Sequence, residues 1–179
     1  MLKALIIRIQ PLLPVAAAML TLYGCTAAAP ADPGIQKLPV ETLWAANQSN
    51  HATSQPLALW VTDSDQLTAL ARSNPVRAAA AILGQRQVDW RREGVVWLYM
   101  GQKTSGGYAL SLGAPQAHIS HGTAVITVHW REPSPGAIVT QQLTSPCLVL
   151  KLPRGNYGEI AIQDESGRLR ARAAVKNDK

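Results

Sequence analysis

The stretch His-Ile-Ser-His-Gly-Thr-Ala-Val-Ile-Thr-Val-His-Trp, residues 118–130, has the clearest structural pattern in the chain. In its second half the side chains of Ala124, Ile126 and Val128 fall on one face, and the residues between them fall on the other. Alternation with a period of two residues is typical of a β-strand that packs one face on a core. Gly122 precedes the alternation and indicates a turn. The stretch therefore predicts a long strand that is reached through a turn.

Short apolar segments separated by turns continue on both sides of this strand. Glycine, proline and aspartate mark the turns at residues 104–107, 133–136 and 164–167, and the last of these predicts a hairpin. The apolar segments that read as further strands are residues 95–100, 108–112, 137–143, 147–152, 158–163 and 168–174. Short strands at this spacing are typical of an antiparallel sandwich or a strongly curved sheet.

The N-terminal part of the chain adds helices to this pattern. Residues 38–44 and 57–61 read as strands, and Thr62 can cap a helix that follows the second of them. Apolar residues then recur at helical spacing at Leu67, Leu70 and Ala71. Residues 76–83 are rich in alanine and predict a second short helix. We therefore predict a β-rich α+β fold, an antiparallel sandwich or strongly curved sheet with one or two short helices near its N-terminal part.

The first residues are built like a secretory signal, with a positively charged start, an apolar stretch and the sequence Leu-Tyr-Gly-Cys that ends at Cys25. These four residues resemble the lipobox of bacterial lipoproteins. The resemblance implies a signal peptide at residues 1–24 and a lipid on Cys25 that anchors the chain to a membrane. Residues 25–36 are rich in Ala and Pro and read as a flexible tether. Thr26, which is not aspartate, indicates the outer membrane by the sorting habit of such lipoproteins, with the domain facing the periplasm or the cell surface.

Charge, cysteine and aromatic content limit the kinds of partner and of core that we expect. The net charge is +6, with 17 basic and 11 acidic residues, but the basic residues are scattered, so we expect no nucleic-acid partner. If Cys25 carries a lipid, Cys147 is the only free thiol, and its apolar neighbours predict a buried structural residue. The chain has no Phe, so tryptophan must supply the aromatic bulk of the core. The tryptophans are Trp44, Trp60, Trp90, Trp97 and Trp130.

No group of residues has the spacing of a catalytic or metal site. The carboxylates are dispersed near turns and helix starts, and no serine lies in a strand–turn–helix elbow. His118 and His121 are three residues apart, but no carboxylate or cysteine near them or near His129 completes a ligand set. We therefore predict a protein that is not an enzyme and that holds no metal or cofactor besides the covalent lipid on Cys25.

One series of turns is more distinctive than the rest. Its motifs are, in chain order, Val88-Asp89-Trp90, Gly94-Val95-Val96, Thr104-Ser105-Gly106-Gly107-Tyr108, Pro133-Ser134-Pro135-Gly136, Val139-Thr140-Gln141, Thr144-Ser145-Pro146 and Val149-Leu150-Lys151-Leu152-Pro153. Their order and spacing resemble the C-terminal domain of the PrcB family over residues 86–155. We assign a PrcB-like β-rich region to residues 86–175, which forms one globular domain with residues 37–85. The resemblance implies a non-enzymatic lipoprotein that stabilises or assembles a surface protease complex by binding a protein partner.

Two of these turns are the candidate binding loops, because turns gathered at one end of a β domain can form a rigid binding rim. The candidate residues are Ser105, Gly106, Gly107, Tyr108, Pro133, Pro135 and Gly136. Gly106 and Gly107 allow positive φ angles in a tight turn.

Two alternatives stay open at this point. The loop from Thr104 to Tyr108 is also similar to a loop of chagasin-type cysteine-protease inhibitors, which would make the protein an inhibitor. The other alternative is a general envelope-scaffold lipoprotein that binds a neighbouring protein through an exposed strand edge.

Overall fold

The secondary structure consists of short strands and one helix in the part of the chain that the computed structural model describes, residues 36–49, 53–73 and 88–176. These residues belong to one unit that spans Asp32–Lys179. The strands are β1 (Gln36–Pro39), β2 (Glu41–Ala46), β3 (Leu57–Val61), β4 (Glu93–Tyr99), β5 (Ala109–Leu112), β6 (Gln116–Ser120), β7 (Thr123–Arg131), β8 (Cys147–Pro153), β9 (Glu159–Gln163) and β10 (Leu169–Ala174), and the helix is α1 (Ser64–Ser73).

Two sheets form a sandwich. The first has the order β1-β6-β7-β9-β10, with β5 also paired to β7, and the second has the order β2-β8-β4-β3. The predicted β-rich sandwich and the predicted β9–β10 hairpin are confirmed. The pairing of β7 with β9 is parallel, which the prediction of an antiparallel sandwich did not include. The parallel pair is possible because β8 lies in the other sheet and serves as the crossover between β7 and β9.

The strands β4 and β8 are apolar throughout because both of their faces are buried. Val96 and Leu150 belong to the core between the two sheets. Trp97 and Val149 point to the opposite face, where Leu67 of α1 belongs to the same buried cluster. A strand that is covered on both faces needs a continuous apolar run rather than an alternating one. The helix is thus a third layer over the second sheet.

The first predicted strand, residues 38–44, is in fact two strands in different sheets. The chain bends at Val40, which is buried and donates its backbone N–H to the carbonyl oxygen of Pro115 at 2.9 Å. β1 pairs with β6 and β2 pairs with β8, so the bend carries the chain around one side of the sandwich. A strand that changes sheets at a corner keeps its apolar residues inward in both.

The predicted helix after Thr62 is confirmed as α1, but Asp63 is its cap. The Gln66 backbone N–H donates to Asp63 Oδ1 at 2.8 Å, and the Gln66 side-chain amide donates to the Thr62 hydroxyl at 3.1 Å. The second predicted helix, residues 76–83, lies outside the described residues, as does the signal segment 1–24. Of the predicted tether only Gln36 is described, and it begins β1. Within the described ranges, no helix is both long enough and apolar enough to cross a bilayer.

Tryptophan supplies part of the aromatic core. Trp97 and Trp130 are buried, whereas the other three tryptophans of the prediction are only half-buried. Tyr99 and Tyr157, which the prediction left out, are fully buried. The residues of both buried clusters lie between Leu38 and Ala173, so a chain that starts at Cys25 keeps the whole described core and is expected to fold.

Cys147 is buried and free of any disulfide, as predicted. Burial raises the pKa of its thiol to about 12, because the thiolate loses hydration, although a hydrogen bond with Ser49 opposes the shift. At pH 8 only about one thiol in ten thousand is then ionised. In a chain with Cys25→Ser, we expect no reaction with a chromogenic disulfide reagent until the protein is unfolded. Rapid reaction of the native protein would show that Cys147 is accessible.

The two ends of the sandwich differ in what they carry. The proximal end is the end at which Gln36 enters the first sheet and β10 leaves it at Ala174. Residue pairs on adjacent strands show that Gln36 and Ala174 lie at the same end of the first sheet. From β1 to β10 these pairs are Gln36 with Ile119, Ser120 with Thr123, Thr123 with Glu159, and Glu159 with Ala174. The distal end is the opposite one, where β4 and β7 finish and β8 begins.

Candidate binding surface

The two candidate binding loops lie side by side at the distal end, where they form one surface. We call this surface, residues 103–108 and 133–146, the rim. Lys103 and Thr144 exchange backbone hydrogen bonds at 2.8 and 2.9 Å, and Gly106 donates its N–H to the Thr140 carbonyl oxygen at 2.9 Å. The Thr144 hydroxyl also donates to the carbonyl oxygen of Ser105 at 2.8 Å. Loops that are separated in sequence are thus held together by backbone pairing.

The two glycines of the first loop are needed for different reasons. Gly107 has a φ of +91°, as expected for a tight turn. Gly106 does not adopt a positive φ. A side chain at Gly106 is instead excluded by the neighbouring loop, because a Cβ there would lie 2.4 Å from the Thr140 hydroxyl oxygen. Gly106 therefore permits close contact between the two loops.

A pair of alanine substitutions tests how tightly the rim is packed. Gly107 and Gly136 both have positive φ, so alanine at either position should lower the free energy of unfolding by about 1 kcal/mol. At Gly136 nothing lies within 4 Å of the new Cβ, whereas at Gly107 it meets Pro133 Cβ at 3.0 Å and Val139 Cγ1 at 3.1 Å. We expect Gly107→Ala to be clearly more destabilising than Gly136→Ala in chemical denaturation. Equal losses of unfolding free energy for the two variants would contradict the close packing of Gly107 against Pro133 and Val139.

The remaining predicted residues divide into supporting and exposed ones. Tyr108 is half-buried against the main core, with Lys103 Nζ 5.5 Å from the centre of its ring. Pro133 is half-buried beneath Gly107. Pro135 and Gly136 are exposed in a turn that is closed by a backbone hydrogen bond from Ala137 to Ser134 of 3.0 Å. The predicted residues therefore shape the rim more than they cover it.

The exposed apolar residues of the rim were missed by sequence reasoning. Residues 137–143 were predicted as a strand, and the structure has no strand there. Ile138 is fully exposed, with a relative exposure of 104%, and Leu143 is exposed at 54%. Prolines at 135 and 146 bracket the segment and cannot donate ladder hydrogen bonds, which was the available signal against a strand.

An ion-pair cluster holds the chain where it leaves β7 for the rim. Glu132 accepts a hydrogen bond from Trp130 Nε1 at 2.7 Å and lies 3.4 Å from Arg170 Nη1. Arg170 is also paired with Asp164 at 2.8 Å and lies 4.9 Å from the Trp130 ring centre. Hydrogen bonds to the Asp164 carboxylate, chiefly from the Ser166 hydroxyl, lower the pKa of Asp164 to about 2 against the opposing effect of burial. Asp164 therefore stays ionised at neutral pH, and the cluster fixes the start of the second loop.

The side chains of the rim are suited to contact with another protein. Residues 133–146 contain no charged residue, and Lys103 is the only charged residue in 103–108. Exposed apolar residues on a surface without charge are typical of the centre of a protein interface. Because Ile138 and Leu143 lie on a loop whose backbone is hydrogen-bonded at residues 137, 140 and 144, less backbone entropy is lost when a partner binds.

The histidines considered as metal ligands do not converge. His121 Nδ1 lies 2.9 Å from the Ser120 hydroxyl, and His129 Nδ1 lies 2.6 Å from Glu165 Oε1. Among the residues that the structure describes, no three His, Cys, Asp or Glu side chains are placed to hold a metal ion.

Comparison with known proteins agrees with the resemblance of the turns. A family model described as PrcB C-terminal matches residues 95–153, about a third of the chain. The match begins in β4, ends with β8 and includes the whole rim. Residues 95–153 are therefore similar to the PrcB C-terminal family. No curated protein and no solved structure matches the chain.

Proposed function

We propose that this chain, whose residues 95–153 match the PrcB C-terminal family, is a non-enzymatic accessory subunit that binds a protein of a protease complex through the rim. The observation that carries the proposal is the exposure of Ile138 and Leu143 on the second loop of the rim, which backbone hydrogen bonds join to the first loop. Truncation experiments on protein interfaces show that a few well-placed residues supply most of the binding energy. The rim offers two such residues on an ordered support in which Lys103 is the one charged residue.

The same proposal places the protein on the outer membrane through a lipid on Cys25. The lipobox-like residues before Cys25 support it. Acyl chains gain about 0.8 kcal/mol for each buried methylene group, so two or more hold a protein stably on a bilayer. An anchored subunit acts by remaining next to its partner, and such a role requires neither catalytic residues nor a cofactor.

Affinity capture from membranes tests the proposal. The full chain, tagged at its C-terminus, is expressed in cells, and the proteins that copurify with it from solubilised membranes are identified. We expect a protease subunit to be recovered with the native chain and to be depleted with Cys25→Ser, which cannot carry the lipid. Recovery of no protein above the Cys25→Ser control would count against the proposed anchor and partner together.

The arrangement of the rim favours the binding of a protein partner by both loops, and it is less suited to inhibition of a protease by the first loop. The inhibitor alternative uses the loop from Thr104 to Tyr108 alone, inserted into an active-site cleft. In the structure Gly106 is buried, Tyr108 packs on the core, and the loop is bonded to residues 140–144 along its side. Slowing of a papain-like protease by this protein, lost on Tyr108→Ala, would instead support the inhibitor.

A further inference from the structure

A groove at the proximal end has the chemistry of an anion site. Two adjoining cavities of about 100 and 270 Å³ share Trp60, Thr62 and Lys176. The other lining residues are Gln66, Arg154, Gly155, Tyr157, Ala174 and Val175. The groove therefore lies between the end of β3, the loop after β8 and the end of β10.

The lining of the groove is positively charged. Arg154 and Lys176 are its charged residues, and no carboxylate is among the described residues that line it. The Arg154 guanidinium donates from Nε to the Glu93 carbonyl oxygen at 3.2 Å and from Nη2 to the Thr62 carbonyl oxygen. These acceptors are neutral, so they fix the guanidinium without cancelling its charge. A planar, oriented guanidinium beside an ammonium group and a hydroxyl suits a phosphate.

The place of the groove points to the source of that phosphate. Ala174 lines the groove and lies on the same end of the first sheet as Gln36, four strand spacings or about 19 Å away. The chain reaches Gln36 from Cys25 through a segment that spans at most about 40 Å when fully extended. A lipid on Cys25 therefore keeps Gln36, at the proximal end, within about 40 Å of the bilayer. Trp60, which is half-buried and lines the groove, is a residue type favoured at membrane interfaces.

We propose that this groove binds the phosphate of an anionic phospholipid headgroup and so holds the proximal end on the membrane, with the rim directed away from it. The choice of a lipid over a free anion rests on the proposed anchor at Cys25. The groove and the rim lie at opposite ends of the sandwich, so a partner bound to the rim is not blocked by the membrane.

Vesicle binding by the chain that starts at residue 25, with Cys25→Ala to remove the lipid, tests this inference. Cosedimentation is measured with vesicles of phosphatidylcholine alone and of phosphatidylcholine with phosphatidylglycerol. We expect binding only to the anionic vesicles, reduced about fivefold by Lys176→Gln. Lys103→Gln makes the same change of charge at the rim and should leave binding unchanged. An equal reduction of vesicle binding by Lys176→Gln and Lys103→Gln, or equal binding to neutral and anionic vesicles, would overturn the proposal.

Inorganic phosphate distinguishes a lipid from a free anion. Its binding is followed through the tryptophan fluorescence of the same chain, with Trp60→Phe as the control that identifies the responding residue. We expect no saturable response at millimolar phosphate, and saturation there would assign the groove to a soluble anion. Lys176→Gln should still capture the protein partner, so failure of the groove and failure of the rim are separate outcomes.

Discussion

Replacing Ile138 and Leu143 together by aspartate is expected to abolish partner binding while leaving the free energy of unfolding almost unchanged. Both side chains are exposed, so their loss removes little buried area from the domain. In a bound complex, however, two carboxylates would be buried against an apolar surface without partners. The loss of a hot spot weakens binding by at least 2 kcal/mol, which is about 30-fold in the dissociation constant.

The matched control for this pair is Leu169→Asp. Leu169 is exposed at 41% and lies on β10, outside both loops of the rim. Capture of the partner and the denaturation midpoint are measured for both variants. If Leu169→Asp weakens capture as much as the rim substitutions do, the partner does not select the rim, and the assignment of the site is wrong.

Trp97→Ala is expected to have the largest effect on stability, a loss of about 3–5 kcal/mol. Trp97 is fully buried at the centre of β4, stacked on Tyr99 with ring centres 6.0 Å apart and in edge contact with Trp44 at 6.5 Å. Alanine would leave a large cavity between the second sheet and α1. Chemical denaturation measures the loss.

Trp90→Ala is the control for this prediction, because Trp90 packs on the same cluster but is only half-buried. It should be less destabilising than Trp97→Ala. A loss of less than 1 kcal/mol for Trp97→Ala would show that the helix-covered face of β4 does not form the second core.

Local patterns predicted the strands well and their partners poorly. The alternation around Ile126 and the continuous apolar run at Val95–Met100 follow directly from burial of one or both faces, so they were visible in the sequence. The bend at Val40 was missed, although Pro39 before it cannot donate a ladder hydrogen bond and was a signal against one long strand. The parallel pairing of β7 with β9 depends on β8 being placed in the other sheet, which no local pattern specifies.

The sequence predicted the turns of the site, but it did not predict the exposed residues Ile138 and Leu143. Gly107 and Gly136 carry a local signal, since φ angles of +91° and +80° favour glycine whatever lies nearby. The need for Gly106 comes from Thr140, which is distant in sequence, so only the folded structure shows it. Ile138 is a residue type common in strands, but the structure joins its segment to the first loop through the hydrogen bond from Gly106 to Thr140 and to no described strand.

Site-specific photo-crosslinking in intact membranes tests the role of the rim most directly. A photoreactive residue is placed at Ile138 in the full, lipid-competent chain, and a second chain carries it at His121, an exposed turn at the proximal end. The proposed function predicts a protein adduct from position 138 that contains a subunit of a protease complex, and none from position 121. Adducts from position 121 alone would contradict binding through the rim.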